Sequence, residues 1–302
     1  MTLKNSDRAD LQRNEEILLN SPSYRLANED HDFLNGYDGR ETRILGEFMK
    51  PEKELQRANV VSTVIVFGSA RILSPEVAQA RVDAAQKELD KNPDDEQNIA
   101  ALQRAKNALY WSDYYRIARE FGELVARKND VFNETRGPNR QIKVSKQCEF
   151  VVCTGGGPGI MEAANRGAYD AGEHTIGLNI QLPFEQKPNP FVSPNLCFNF
   201  HYFSMRKMHF LLRAKALAAF PGGFGTFDEL FEAITLRQTG RMQDLPIILF
   251  GEEFWKKVVN FQYLVDVGVI SASDLNLFHY AHTAEEGWDI IERYYSAREK
   301  HD

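Results

Sequence analysis

Three glycine-containing loops and one carboxylate carry the chemistry that is legible in this sequence. Pro221-Gly222-Gly223-Phe224-Gly225-Thr226-Phe227-Asp228-Glu229 follows the apolar run ALAAF (216–220) and ends on the carboxylate. Thr154-Gly155-Gly156-Gly157-Pro158-Gly159 follows a second apolar run that ends at Cys153. Phe67-Gly68-Ser69-Ala70-Arg71 follows a third. Glycines between a strand and a helix let backbone N–H groups approach an anion at the positive helix end. Gly222, Gly223, Gly225 and Thr226, Gly155 to Gly157, and Gly68 with Ser69 are therefore candidate phosphate ligands. A carboxylate beside such a cradle is a candidate catalytic group for a ligand held there.

Each feature also has a plainer explanation. Thr226-x-x-Glu229 fits a capping box, in which the carboxylate only satisfies the first helical turn. A strand-to-helix turn can be tight without binding anything, although three consecutive glycines cost chain entropy. Pro158 is expected in the first turn of its helix, where a missing N–H is harmless. The triple-glycine loop is not a GxGxxG fingerprint, because Ile160 stands at the third glycine position, nor is it a GxxxxGK[ST] loop. No dinucleotide, ATP or other cofactor is predicted.

The elements that must position these loops alternate in type. VVSTVIVF (60–67), EFVVC (149–153), HTIGLNI (174–180), ALAAF and LPIILF (245–250) are apolar throughout, as strands buried on both faces are. Helical periodicity separates them: Phe227, Leu230, Phe231 and Ile234 form one stripe and leave Glu229 off the core face. This pattern predicts an α/β fold, a doubly wound parallel sheet of about seven strands with helices on both faces. Ligands then sit beyond the carboxyl ends of the strands, where all three loops fall. Residues 1–59 are expected to be a helical N-terminal extension in which Pro51 ends a helix, and 60–302 the nucleotide-binding domain. A helical insertion at about 75–128 contains a solvated hairpin around KELDKNPDDEQ and a helix burying Ile117, Phe121, Leu124 and Val125.

With a formal charge of −7, the 302-residue chain is a poor nucleic-acid binder. No run approaches the ~18 apolar residues of a membrane span. Cys148, Cys153 and Cys197 form no CxxC pair, and the seven histidines show no ligand spacing, so no metal site is predicted. The polar N-terminus and this cysteine usage predict a reduced, cytoplasmic protein.

PGGFGTFDE resembles the PGGxGTxxE motif of the Lonely Guy family of Rossmann-like phosphoribohydrolases. Arg206-Lys207, 23 residues before Glu229, matches the family's Arg-Lys pair, and GGGPGIMEAANRGA resembles its second loop. Thr235 and Gln238 fall where relatives carry Thr and Gln. The resemblance covers roughly residues 60–255; the histidine usual before the Arg-Lys pair is absent, and the N-terminal extension and insertion mark a longer subgroup. It implies hydrolysis of a nucleoside 5′-monophosphate, of AMP or cytokinin riboside type, to free base and ribose 5-phosphate. By this resemblance Arg206 and Glu229 are catalytic, with Arg206 keeping Glu229 ionised. Lys207 and Thr235 join the loops in binding substrate, and a homodimer or higher homo-oligomer is expected. A non-catalytic nucleotide carrier on the same fold is the alternative, and a scaffold acting through the 75–128 helices a third reading. Some relatives are called lysine decarboxylases, but no lysine here is marked for a pyridoxal phosphate Schiff base.

Overall fold

A computed structural model describes residues 5–131, 148–183 and 187–298. They form two compact units, Met1–Lys50 and Pro51–Asp302. The first holds α1 (Asn5–Leu19), α2 (His31–Asn35) and the start of α3 (Arg40–Arg57). Within it, Arg43 ties the end of α2 to α3 by donating to the carbonyls of Leu34 and Gly36, the latter at 2.7 Å.

The second unit begins inside α3, because Pro51 does not end that helix. A proline removes one backbone hydrogen bond. Here the loss is outweighed, since Pro51 and Leu55, one turn apart, are both buried and the helix-favouring run Glu52–Arg57 carries on.

Seven strands follow: β1 (Thr63–Phe67), β2 (Val151–Thr154), β3 (Thr175–Ile180), β4 (Cys197–Phe200), β5 (Ala214–Ala219), β6 (Ile247–Phe250) and β7 (His279–Ala281). All neighbouring pairs are parallel, in the order β4-β3-β2-β1-β5-β6-β7. This is the doubly wound, Rossmann-like sheet expected from the sequence. The order reverses at β1, so the loops after β1 and β5 diverge there and open a crevice.

Alternate residues face opposite layers. Ile65 and Phe67 of β1 pack with Phe210, Leu230 and Ala233, on the layer of α8 (Phe203–Leu212), α9 (Phe224–Gln238), α10 (Glu252–Val258) and α11 (Phe261–Asp266). Val64 and Val66 pack with Phe121, Ala164 and Trp288, on the layer of α6 (Asp113–Val131), α7 (Ile160–Asp170) and α12 (Ala284–Arg298). Helices α10 and α11 are separate, because Val259-Asn260 breaks the run and the Asn260 side chain caps α11 by accepting from the Tyr263 N–H (3.0 Å).

The insertion is a helical hairpin, α4 (Pro75–Lys91) and α5 (Glu96–Trp111), leading into α6. Ser74 and Asp95 cap the two helices by accepting from the N–H groups of Val77 and Gln97. Where α6 crosses α7 the backbones touch: a Cβ on Gly122 would strike the Ala164 carbonyl, and one on Gly167 the Arg119 carbonyl.

Candidate functional site

The three loops meet at the carboxyl ends of β1, β2 and β5. The Ser69 N–H donates to the Pro221 carbonyl (3.0 Å), and the Ile160 N–H to the Ser69 carbonyl (3.1 Å). The β1 loop is therefore wedged between the other two. A Cβ on Gly68 would come within 2.5 Å of the Ile160 side chain, so this glycine serves close packing.

The triple-glycine loop is tied down from within. Its Gly156 N–H donates to Thr154 Oγ1 (2.9 Å). Gly156 has φ +69°, and a Cβ there would strike the Asn179 amide. A Cβ on Gly155 would lie 2.9 Å from Met161 Sδ. Pro158 is not in the first helical turn either: the N-cap of α7 is Gly159, at φ +71°, where a side chain would hit the Ser69 carbonyl. The Gly156 and Gly157 carbonyls turn to Asn189, which donates from its backbone N–H (2.8 Å) and from Nδ2 (3.0 Å) respectively.

The Pro221–Thr226 loop is open by contrast. The N-cap of α9 is Gly223, with no side-chain cap, so the Thr226/Glu229 capping box does not form. The helix starts three residues earlier than that motif requires, and Thr226 lies in its first turn, buried where a Cβ on Gly222 would collide with it. Nothing lies within 4 Å of where a Cβ on Gly223 or Gly225 would be, and Phe224 between them is 96% exposed. The first-turn N–H groups of α9 have no intrahelical acceptor, and a positive helix end facing open space accepts an anion.

Freed from capping, Glu229 meets Arg206. Arg206 of α8 reaches across to α9, where its Nη2 donates to Glu229 Oε1. The side chains of Arg206 and Glu229 are only 11% and 12% exposed. The guanidinium lies over the rings of Phe203 (5.1 Å) and Phe210 (5.6 Å), and its buried Nε has no hydrogen-bond partner. Burial pushes the Glu229 carboxyl up to about 7; Arg206 opposes this and Asp228 adds to it. Arg206 thus orients Glu229 and counters the effect of its burial. Next along α8, Lys207 Nζ pairs with Asp228 (2.8 Å) and Glu232 (3.2 Å). Burial draws its ammonium down, but these carboxylates outweigh it and the pKa is raised.

Thr235 is not brought to the loops. It is exposed, six residues beyond Glu229 on α9, and donates to the Phe231 carbonyl (2.7 Å). Gln238 is likewise turned away, donating to Asp274 (2.9 Å). Beyond Lys207 a groove of about 760 Å³ runs along α8 and α9, its apolar lining including Phe203, Met208, Leu212, Leu236 and Met242. Asp228, Glu232, Asn165 and Asn189 were not singled out from the sequence; only Asn165, a polar residue among the small ones of α7, offers a signal there.

Comparison with known proteins matches residues 161–291 to a family described as possible lysine decarboxylase. A cytokinin riboside 5′-monophosphate phosphoribohydrolase of Arabidopsis thaliana is 28% identical over 148 residues, 48% of this chain and 68% of that protein. Another from the same plant is 29% identical over 161 residues, covering 52% and 73%. Over this part of its length the chain is similar to the Lonely Guy phosphoribohydrolases. A solved structure, the molybdenum cofactor binding protein of the phototrophic bacterium Rippkaea orientalis, is 20% identical with a TM-score of 0.41, over 60% of this chain and 87% of that one.

The family match takes in Arg206, Lys207 and the whole Pro221–Glu229 loop, and begins just past the triple glycine. The lysine of the Arg-Lys pair is an ion-paired ammonium, unsuited to forming a Schiff base. Among the described residues no helix is long and apolar enough to cross a membrane, and no group of three His, Cys, Asp or Glu side chains could hold a metal.

Proposed function

We propose that this protein hydrolyses the N-glycosidic bond of a nucleoside 5′-monophosphate, of AMP or cytokinin riboside monophosphate type, as the Lonely Guy proteins it resembles are named for doing. The observation that carries the reading is the buried pair between Arg206 of α8 and Glu229 of α9, near the open N-terminal end of α9. A phosphate at the first-turn N–H groups of α9 and the Gly68-Ser69 loop would fix the ribose over Glu229. As the C1′–N bond breaks, its electron pair leaves with the base, which takes a proton from solvent. Water adds to C1′ and gives its proton to the Glu229 carboxylate, which also stabilises the oxocarbenium-like sugar. A base with a pKa near the working pH suits this task. Arg206 fixes the carboxylate by a charge-assisted hydrogen bond. Remote phosphate binding then contributes to lowering the barrier at the sugar.

The protein is further proposed to act in the cytoplasm as a homodimer or higher homo-oligomer, with the apolar α8/α9 groove as contact surface. The test is a panel of nucleoside monophosphates and their nucleosides, assayed for free base and ribose 5-phosphate. Equal release of base and ribose 5-phosphate from one or more monophosphates, and not from the nucleosides, is expected. Binding without release from any of them would leave the carrier reading in its place.

A further inference from the structure

We propose that Asn189 is a positioning residue for the substrate phosphate: it clamps the triple-glycine loop so that the Gly157 N–H faces the crevice. This rests on the nucleotide reading above and assigns Asn189 no contact with the substrate. In a planar trans peptide the C=O and the following N–H point in opposite directions. The Gly156 carbonyl accepts from the Asn189 backbone N–H (2.8 Å), so the Gly157 N–H is directed away from Asn189. The Gly157 carbonyl is held as well, by Asn189 Nδ2 at 3.0 Å.

Asn189 is itself fixed on every side. Its Nδ2 also donates to Asn165 Oδ1 (3.0 Å), and its Oδ1 accepts from the Phe191 N–H (3.2 Å). Asn165 Oδ1 accepts in turn from Thr154 Oγ1 (2.7 Å), the hydroxyl that takes the Gly156 N–H. Asn165 Nδ2 donates to Thr175 Oγ1 and to the Ile176 carbonyl (3.3 Å). Thr154, Asn165 and Thr175 are fully buried and Asn189 is 6% exposed. A satisfied polar network in a low-dielectric setting is rigid, and this one closes back on the glycine loop. The proline-rich segment bearing Asn189 is seated tightly, since a Cβ on Gly177 would lie 2.9 Å from Val192 Cγ2 and 3.2 Å from Gly156 Cα.

A preorganised N–H loses its advantage when its peptide can rotate. The test measures AMP and adenosine binding by calorimetry, with steady-state base release, for wild type, Asn189→Asp and Asn189→Ser. Asp keeps the shape but removes the Nδ2 donor; Ser shortens the side chain. The expected result for both variants is AMP affinity about tenfold weaker and KM raised to match. Adenosine binding and kcat should stay close to wild type, while the thermal midpoint falls in both variants without loss of folding. Equal weakening toward AMP and adenosine, unchanged AMP affinity, or failure of both variants to fold would each overturn the proposal. If wild type itself binds neither ligand, the nucleotide reading has failed; if wild type behaves as expected and the variants match it, only the clamp has.

Discussion

The two glycine loops at the crevice share a composition and differ in use. In Gly155–Gly159 the glycines are there because other atoms are: side chains would strike Asn179, Met161 or the Ser69 carbonyl, and two residues have positive φ. In Gly223–Gly225 the space around the glycines is empty and Phe224 stands in solvent. The first loop is part of the scaffold and offers a ligand at most the few N–H groups its clamp leaves outward. The second is an open helix end. A run of glycines therefore means close packing in one place and access in the other, and only the surroundings tell them apart.

That comparison can be broken at either loop. Gly159→Ala should cost about 4 kcal/mol of folding stability, from left-handed strain plus a clash with the backbone of the β1 loop. A thermal midpoint within a degree of wild type would contradict the packing role. On the open side, the buried carboxyl next to that helix end gives a pH signature. Its pKa rises from about 4.5 unfolded to about 7 folded. The folded state then binds the proton more tightly, so stability is highest below pH ~4.5 and falls on the order of 3 kcal/mol as pH climbs to ~7. Denaturant unfolding of wild type against Glu229→Gln should show this slope in the difference; a flat difference would place Glu229 in a wetter site. Base release should increase over the same range, as the carboxylate form fills.

Gly225→Ala tests access without packing. In the first turn of a helix with open space around it, alanine should leave stability unchanged or raise it by ~0.5–1 kcal/mol. AMP affinity should fall several-fold as the Cβ crowds the anion, and calorimetry beside a melting curve separates the two effects. Lys207→Ala should matter least for the fold: its partners are exposed, and about 0.5 kcal/mol is expected. A loss above ~2 kcal/mol would mean that those ion pairs hold α8 to α9.

The sheet was legible because its strands are buried on both faces and read as unbroken apolar runs such as Val64–Phe67 and Ile247–Phe250. The loops were legible because glycine and proline punctuate strongly. What failed was local pattern matching against tertiary context. Thr226-x-x-Glu229 has the spacing of a capping box, yet Gly223 starts the helix and Thr226 is buried over Gly222. Pro51 looks like a helix end, yet burial beside Leu55 carries α3 past it. The Asn189 clamp joins residues 32 positions apart, and nothing in the local sequence of either partner announces it. The Arg206–Glu229 pairing, 23 residues apart, could be anticipated only from the family resemblance.

The most direct test of the account is Glu229→Gln assayed beside wild type with AMP, following both nucleotide binding and release of adenine and ribose 5-phosphate. Glutamine keeps the size of the side chain and can still accept from Arg206, but it cannot take a proton from water. The account predicts near-normal AMP affinity and release reduced by at least ~10³-fold. A variant that binds AMP and releases adenine at the wild-type rate would contradict it.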